Sequence, residues 1–117
     1  MIAFDSIPKI YLVTETVDLR KGIAGYASII QESYLLNPFE DALFIFMNRD
    51  RNKLKCLYWD KTGFWLLYKR LEKGTFKPFR NPENKVVTIT HQQLRWLLEG
   101  LRMEQPRAFK KLEYQYV

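Results

Sequence analysis

The stretch from Leu43 to Phe79 constrains the fold more than any other. Three runs, LFIFMN, KLKCLYWD and FWLLYKR, are rich in aromatic and aliphatic residues and are separated by polar turn segments. Runs of that length and composition, punctuated by turn residues, predict an antiparallel meander over residues 43–70. The turn Asp60-Lys61-Thr62-Gly63 suits a type I turn closed by a left-handed glycine, the three-residue hairpin with a bulge. That register pairs Tyr58 with Leu66 and Cys56 with Tyr68. Because side chains alternate across a strand, Leu54, Cys56, Tyr58, Phe64, Leu66 and Tyr68 are then expected on one uncharged core face. Lys53, Lys55, Leu57, Trp59, Trp65, Leu67 and Lys69 are expected on the other. A slip of one residue would undo that sorting.

Charge gathers in the same region. Residues 49–80 hold ten Lys or Arg and three acids, a net +7, whereas the whole chain carries +6. The basic character is therefore one patch, and nucleic acid is the commonest anionic partner of such a patch. A basic surface serving only solubility is the competing reading. The 117 residues suffice for one domain with a real core, 47% being hydrophobic. No apolar run approaches the roughly twenty residues of a membrane span, and no signal peptide is visible at the start. Cys56 is the lone cysteine, so neither an internal disulfide nor a cysteine zinc site is expected. Together these features point to a cytoplasmic protein without cofactor or metal.

Around the meander, Lys9–Thr14 is β-branched and aromatic and reads as a buried strand. Asp18 reads as the N-cap of a helix running to Asn37-Pro38, with Leu19, Ile23, Tyr26, Ala27, Ile30 and Tyr34 as its buried stripe. Gly22 and Gly25 weaken that helix and fit a close approach by another element or a ligand. Arg20 and Lys21 in a first turn oppose the helix dipole, a cost that a docked phosphate reverses; pairing of Asp18 with either cation is the plainer alternative. Lys73-Gly74-Thr75-Phe76 reads as a bend into a short strand, and Val86–Ile89 as a last strand. Thr90 and Gln93 form a capping box for a helix that Gly100 stops. One domain over residues 1–104 is expected, with a basic and aromatic tail over 105–117.

Catalytic chemistry finds few candidates. His91, the single histidine, opens a capped helix where a surface residue is expected. Cys56 falls on the expected core face, and no serine has a neighbouring base. Asp18, Asp60 and Glu72 are conceivable as a metal-binding carboxylate cluster, but each has a local role or cationic neighbours. No glycine-rich phosphate loop is present.

Several blocks then resemble a known family: Asp18-Leu19-Arg20-Lys21-Gly22, Leu43–Phe46, Lys55–Asp60, Gly63-Phe64, Tyr68–Phe76 and Leu97–Gly100. In order and spacing they are similar to the small Orf2-like accessory family, also called TnpB, of the insertion sequence 66 type of bacterial mobile elements. That family is distinct from the RNA-guided nuclease of the same name. The resemblance covers roughly residues 9–101 and leaves the tail outside. It implies a non-enzymatic protein encoded beside a larger transposase that carries the catalytic acids. It marks Asp18, Gly22, Asp60, Gly63, Glu72 and Gly74 as structural motif positions.

The expected fold is thus α+β: an antiparallel sheet of about four to five strands with two helices packed mainly on one face. The leading functional expectation is DNA binding through a basic, Trp-bearing sheet face. Arg20, Lys21, Lys53, Lys55, Lys69, Arg70 and Lys73 would meet phosphates, and Trp59 or Trp65 would stack on bases or wedge into a groove. The alternative is a protein-interaction module bridging the transposase, with the tryptophans as anchors. Either a monomer or a homodimer is compatible with these patterns.

Overall fold

A computed structural model describes residues 3–104; the expected tail at 105–117 lies outside them. After a short 3-10 turn, Phe4–Ser6, the elements are β1 (Lys9–Val13), α1 (Ile23–Ser28), β2 (Ala42–Met47), β3 (Lys53–Trp59), β4 (Phe64–Arg70), β5 (Val86–Ile89) and α2 (His91–Leu98). α1 widens directly into one π-helical turn, Ile29–Ser33. The strands form one sheet in the order β4-β3-β2-β1-β5.

The fold is α+β, and the meander β2–β4 and the strands β1 and β5 lie where the sequence puts them. Two features of the arrangement differ from expectation. The sheet is mixed, because β1 pairs with β2 in parallel, Ile10 opposite Leu43 and Leu12 opposite Ile45. The reason is the connection: a helix lies between these strands, and a crossover of that length returns the chain parallel. The helices also cover opposite faces. β2 is buried at all six positions and β1 at four of five, and strands apolar on both sides need cover on both.

Ile10, Leu12, Leu43, Ile45, Met47, Leu54 and Cys56 pack on the α2 side with Leu94, Leu97 and Phe76. Tyr11, Val13, Phe44, Phe46 and Leu57 pack on the other side with Tyr26 and Ile30 of the first helix. Tyr11 stacks on Phe44 at 5.0 Å and Tyr26 meets Phe46 at 4.8 Å. Burying each such side chain contributes about 1.5–3 kcal/mol.

The β3–β4 hairpin corrects the expected register by one residue. Trp59 opposes Phe64, Tyr58 opposes Trp65, Cys56 opposes Leu67 and Lys55 opposes Tyr68. Lys61, at φ 83°, takes the left-handed position, and Gly63 does not. The Asp60 carboxylate is the cause. One oxygen accepts from the Thr62 N–H, the Thr62 hydroxyl and the Gly63 N–H, and the other accepts from Trp65 Nε1 at 2.6 Å. The side chain thus organises a four-residue loop in place of the bulged one.

The first helix also starts later than expected. Asp18 does not cap it; Gly22 occupies the N-cap, and Arg20 and Lys21 precede the helix. Among the expected stripe, Tyr26 and Ile30 are fully buried, whereas Ile23 is exposed. A Cβ on Gly25 would stand 3.1 Å from the Lys21 Cβ. That glycine makes room for the incoming loop, as a close approach requires. No strand forms at 73–76; Gly74 turns the chain at φ 80° and the Phe76 N–H donates to the Arg51 carbonyl. The capping box of Thr90 and Gln93 is present, and Gly100 ends the helix at φ 79°.

Candidate nucleic-acid interface

The basic loop before α1 is held in place before any ligand arrives. The Val17 N–H donates to the Met47 carbonyl at the end of β2. Leu19 packs its side chain into the α1-side core and its carbonyl accepts from Lys55 Nζ at 2.7 Å. The Asp18 carboxylate folds back on the Arg20 N–H and takes three bonds from the Arg20 guanidinium, 2.8 Å at the shortest. That guanidinium, then the backbone N–H, holds the Asp18 carboxyl well below the usual carboxylate range. Of the two readings of this loop, the pairing of Asp18 with Arg20 is the one the structure adopts. The Arg20 side chain is 91% exposed, so the paired guanidinium stays open to solvent.

The β2–β3 turn meets this loop. Asn48 builds the turn: its Oδ1 accepts from the Asn52 and Lys53 N–H groups and its Nδ2 donates to Asn52 Oδ1 at 2.7 Å. Arg49 and Asp50 therefore sit exposed at the tip. Between turn and loop opens a cleft of about 630 Å³, walled by residues 16–20, residues 48–50, Lys53, Lys55 and Tyr68. Arg20, Arg49, Lys53 and Lys55 face Asp18 and Asp50 there. Lys55 also lies 5.9 Å from the Tyr26 ring centre and 5.7 Å from that of Tyr68. Burial pushes the Tyr26 hydroxyl up to about 12, so it stays protonated against the Asp18 carbonyl.

The structure thus brings Arg20, Lys53 and Lys55 together and adds Arg49, Asn48 and Tyr68 to the site. Asn48 was legible as a turn-forming residue; nothing in the sequence flags the Leu19 carbonyl as the partner of Lys55. Lys21 stands beside the cleft, exposed. Lys69 points to the α2 side, where its Nζ donates to the Leu98 carbonyl at 2.7 Å. That bond neutralises the carbonyl end of α2. Arg70 pairs with Glu72 at 3.0 Å, and Lys73 lies exposed in the turn beyond.

The tryptophans are not interleaved with these cations. Trp59 lies six residues along β3 from Lys53, about 20 Å at the usual rise. It is packed between Phe39 and Phe64, each 5.0 Å away. Trp65 is on the opposite face of the sheet, 45% exposed, clamped by Asp60. The one-residue register difference separates the pair.

The carboxylates Asp18, Asp60 and Glu72 do not converge. Each is engaged locally, and among the described residues no three His, Cys, Asp or Glu side chains are grouped to hold a metal ion. His91 is half-buried with Nε2 2.7 Å from the Ile7 carbonyl. Among the described residues no helix is long and apolar enough to cross a membrane.

Comparison with known proteins agrees with the motif blocks. A protein-family model described as "IS66 Orf2 like protein" matches residues 8–108. "Uncharacterized protein y4hO" of Sinorhizobium fredii is 32% identical over 99 residues, 85% of each chain. "Uncharacterized protein y4jC" of the same organism is 34% identical over 68 residues, 58% of each chain. No solved structure matches. The Asp18–Gly22 loop, the basic turn and the hairpin that it abuts all fall inside the matched region, and the chain belongs to the IS66 Orf2-like family.

Proposed function

We propose that this protein is a non-catalytic accessory factor in transposition of a bacterial insertion sequence, and that it holds DNA at the end of the sheet where the β2–β3 turn meets the Asp18–Gly22 loop. Family membership supports the transposition role. The observation that carries DNA binding is the convergence of Arg20, Arg49, Lys53 and Lys55 from three segments on one open cleft. Arg49 and Lys53 form no ion pair among the described residues, so their charge is available to a phosphate. Contacts of this kind position a backbone without reading bases, so affinity is steeply salt-dependent and specificity modest. The test is fluorescence anisotropy with labelled duplex and single-stranded oligonucleotides at several salt concentrations. Binding of the native protein that weakens strongly in the Arg49→Ala, Lys53→Ala double variant supports the reading. Absence of binding at low salt overturns it.

A second reading, docking to the element's transposase, is favoured by a different observation. At the far end of the sheet Phe39 and Trp65 are about half exposed, and β4 is an edge strand. Exposed aromatics beside an open edge suit a protein partner. Co-purification with the transposase that is lost in Trp65→Ala but kept in the Arg49→Ala, Lys53→Ala variant supports this role.

A further inference from the structure

We infer that the DNA-binding site does not end at the first cleft but continues over the β2–β3 turn into a second phosphate-binding cleft on the α2 side of the sheet. This inference rests on the reading of the first cleft as a DNA site and extends it to residues outside that cleft. The second cleft, about 360 Å³, is lined by Arg49, Arg51, Lys77, Arg80 and Arg102, with Asp50 as its one acid. It is more basic than the first. Arg49 and Asp50 line both, so the turn is a shared wall and the two clefts form one path around the end of the sheet. Counted once each, eight cations face two acids along it.

The turn itself is shaped to serve both sides. Arg51 is held at φ 57°, a left-handed conformation that a glycine or asparagine adopts more cheaply. That position sets the Arg51 side chain in the wall of the second cleft. The far wall is equally fixed. Phe76 is buried and its N–H donates to the Arg51 carbonyl at 2.7 Å. Lys77 Nζ is held by the Thr75 and Gly100 carbonyls, and the Arg80 N–H by Glu104. Lys77 and Arg102 bridge as short parallel segments. Backbone held in this way loses little freedom when a phosphate binds, which leaves only the side chains to be ordered. The chemistry that matches two basic clefts joined across an exposed turn is a phosphodiester chain, with phosphates in each cleft and the turn beneath it. A single free anion would use only one.

The experiment compares the native chain with Arg51→Gly plus Arg80→Ala by anisotropy against salt, using oligonucleotides of roughly 6 and ~20 nucleotides. Arg51→Gly relieves the backbone strain, so the fold survives, which thermal melting checks. The expected result is a loss of about tenfold or more in affinity for the long oligonucleotide and a salt slope shallower by about two, one per lost phosphate contact. The short oligonucleotide should lose less. Native binding with an unchanged slope in this variant, while Arg49→Ala plus Lys53→Ala does weaken binding, overturns the second cleft and leaves the first. No binding by the native chain overturns both.

Discussion

The two ends of the sheet are built from the same strands and differ in almost every physical respect. At one end, β3 begins at Lys53 and the chain gathers cations from three segments around an asparagine-organised turn. At the other, β3 ends at Trp59 and the chain gathers Phe39, Trp59 and Phe64 in mutual contact, beside a hairpin closed by Asp60. Both ends use one short polar side chain to fix a turn: Asn48 at the basic end, Asp60 at the aromatic end. The difference lies in what each turn presents. The basic end exposes charge on a rigid frame, which suits a polyanion. The aromatic end spends its rings partly on one another, which leaves less for a base to stack on. Proximity in sequence between lysines and tryptophans therefore does not make one mixed surface.

The largest expected effect tests how much structure each end carries. Phe76, buried beneath the second cleft, should cost about 3–5 kcal/mol on truncation to alanine, read by chemical denaturation. Phe39→Ala, at a half-exposed ring, should cost about 1 kcal/mol or less. Equal costs would break the contrast between a supported basic end and a peripheral aromatic one. Next in size, Arg49→Ala plus Lys53→Ala should lower DNA affinity about tenfold or more and flatten its salt dependence. Trp65→Ala should leave it within about twofold, since a side chain outside the contact contributes little. The reverse ranking would transfer the site to the other end.

A smaller effect isolates the hairpin. The Thr62 N–H, the Trp65 indole and the Thr62 hydroxyl hold the Asp60 carboxyl at about 2. Its folded value lies below the unfolded one. Its contribution is thus complete above the unfolded value near 3.8 and lost as pH falls through about 2. Trp65 fluorescence should change across that window, and Asp60→Asn should flatten the change. The smallest effect concerns Cys56, buried between the two ends, whose thiol burial pushes up to about 12. A neutral thiol reagent at mildly alkaline pH should leave it unmodified until the protein unfolds.

Much of this architecture was legible in the chain because local rules and global packing agree there. The meander, the flanking strands and the capping box of Thr90 and Gln93 follow from periodicity and cap chemistry. The parallel pairing of β1 with β2 departs from the antiparallel sheet that the meander over residues 43–70 suggests, and only the helix between the two strands implies the crossover. The two-sided burial of β1 and β2 carried the same message: LFIFM and IYLV have no polar face, so one layer of helices could not cover them. The hairpin register failed for a subtler reason. Asp60 and Gly63 fit two turn types, and only the triple hydrogen bonding of one carboxylate oxygen decides between them. That single choice moved Trp65 and Lys69 to the other face. The sequence puts Arg20 in the first turn of a helix, whereas it precedes the helix because Asp18 bonds its near neighbour instead of capping. The first cleft, which depends on a carbonyl–lysine contact across 36 residues, has no local signature at all.

DNA is expected to meet the basic end of the sheet and not the aromatic one. The most direct measurement is an amide NMR titration of the protein with a short DNA duplex. Shift changes are expected over residues 16–21, 48–53 and 75–80, with residues 59–65 unmoved. Changes centred on Trp59 to Trp65, with the basic turn silent, would contradict it.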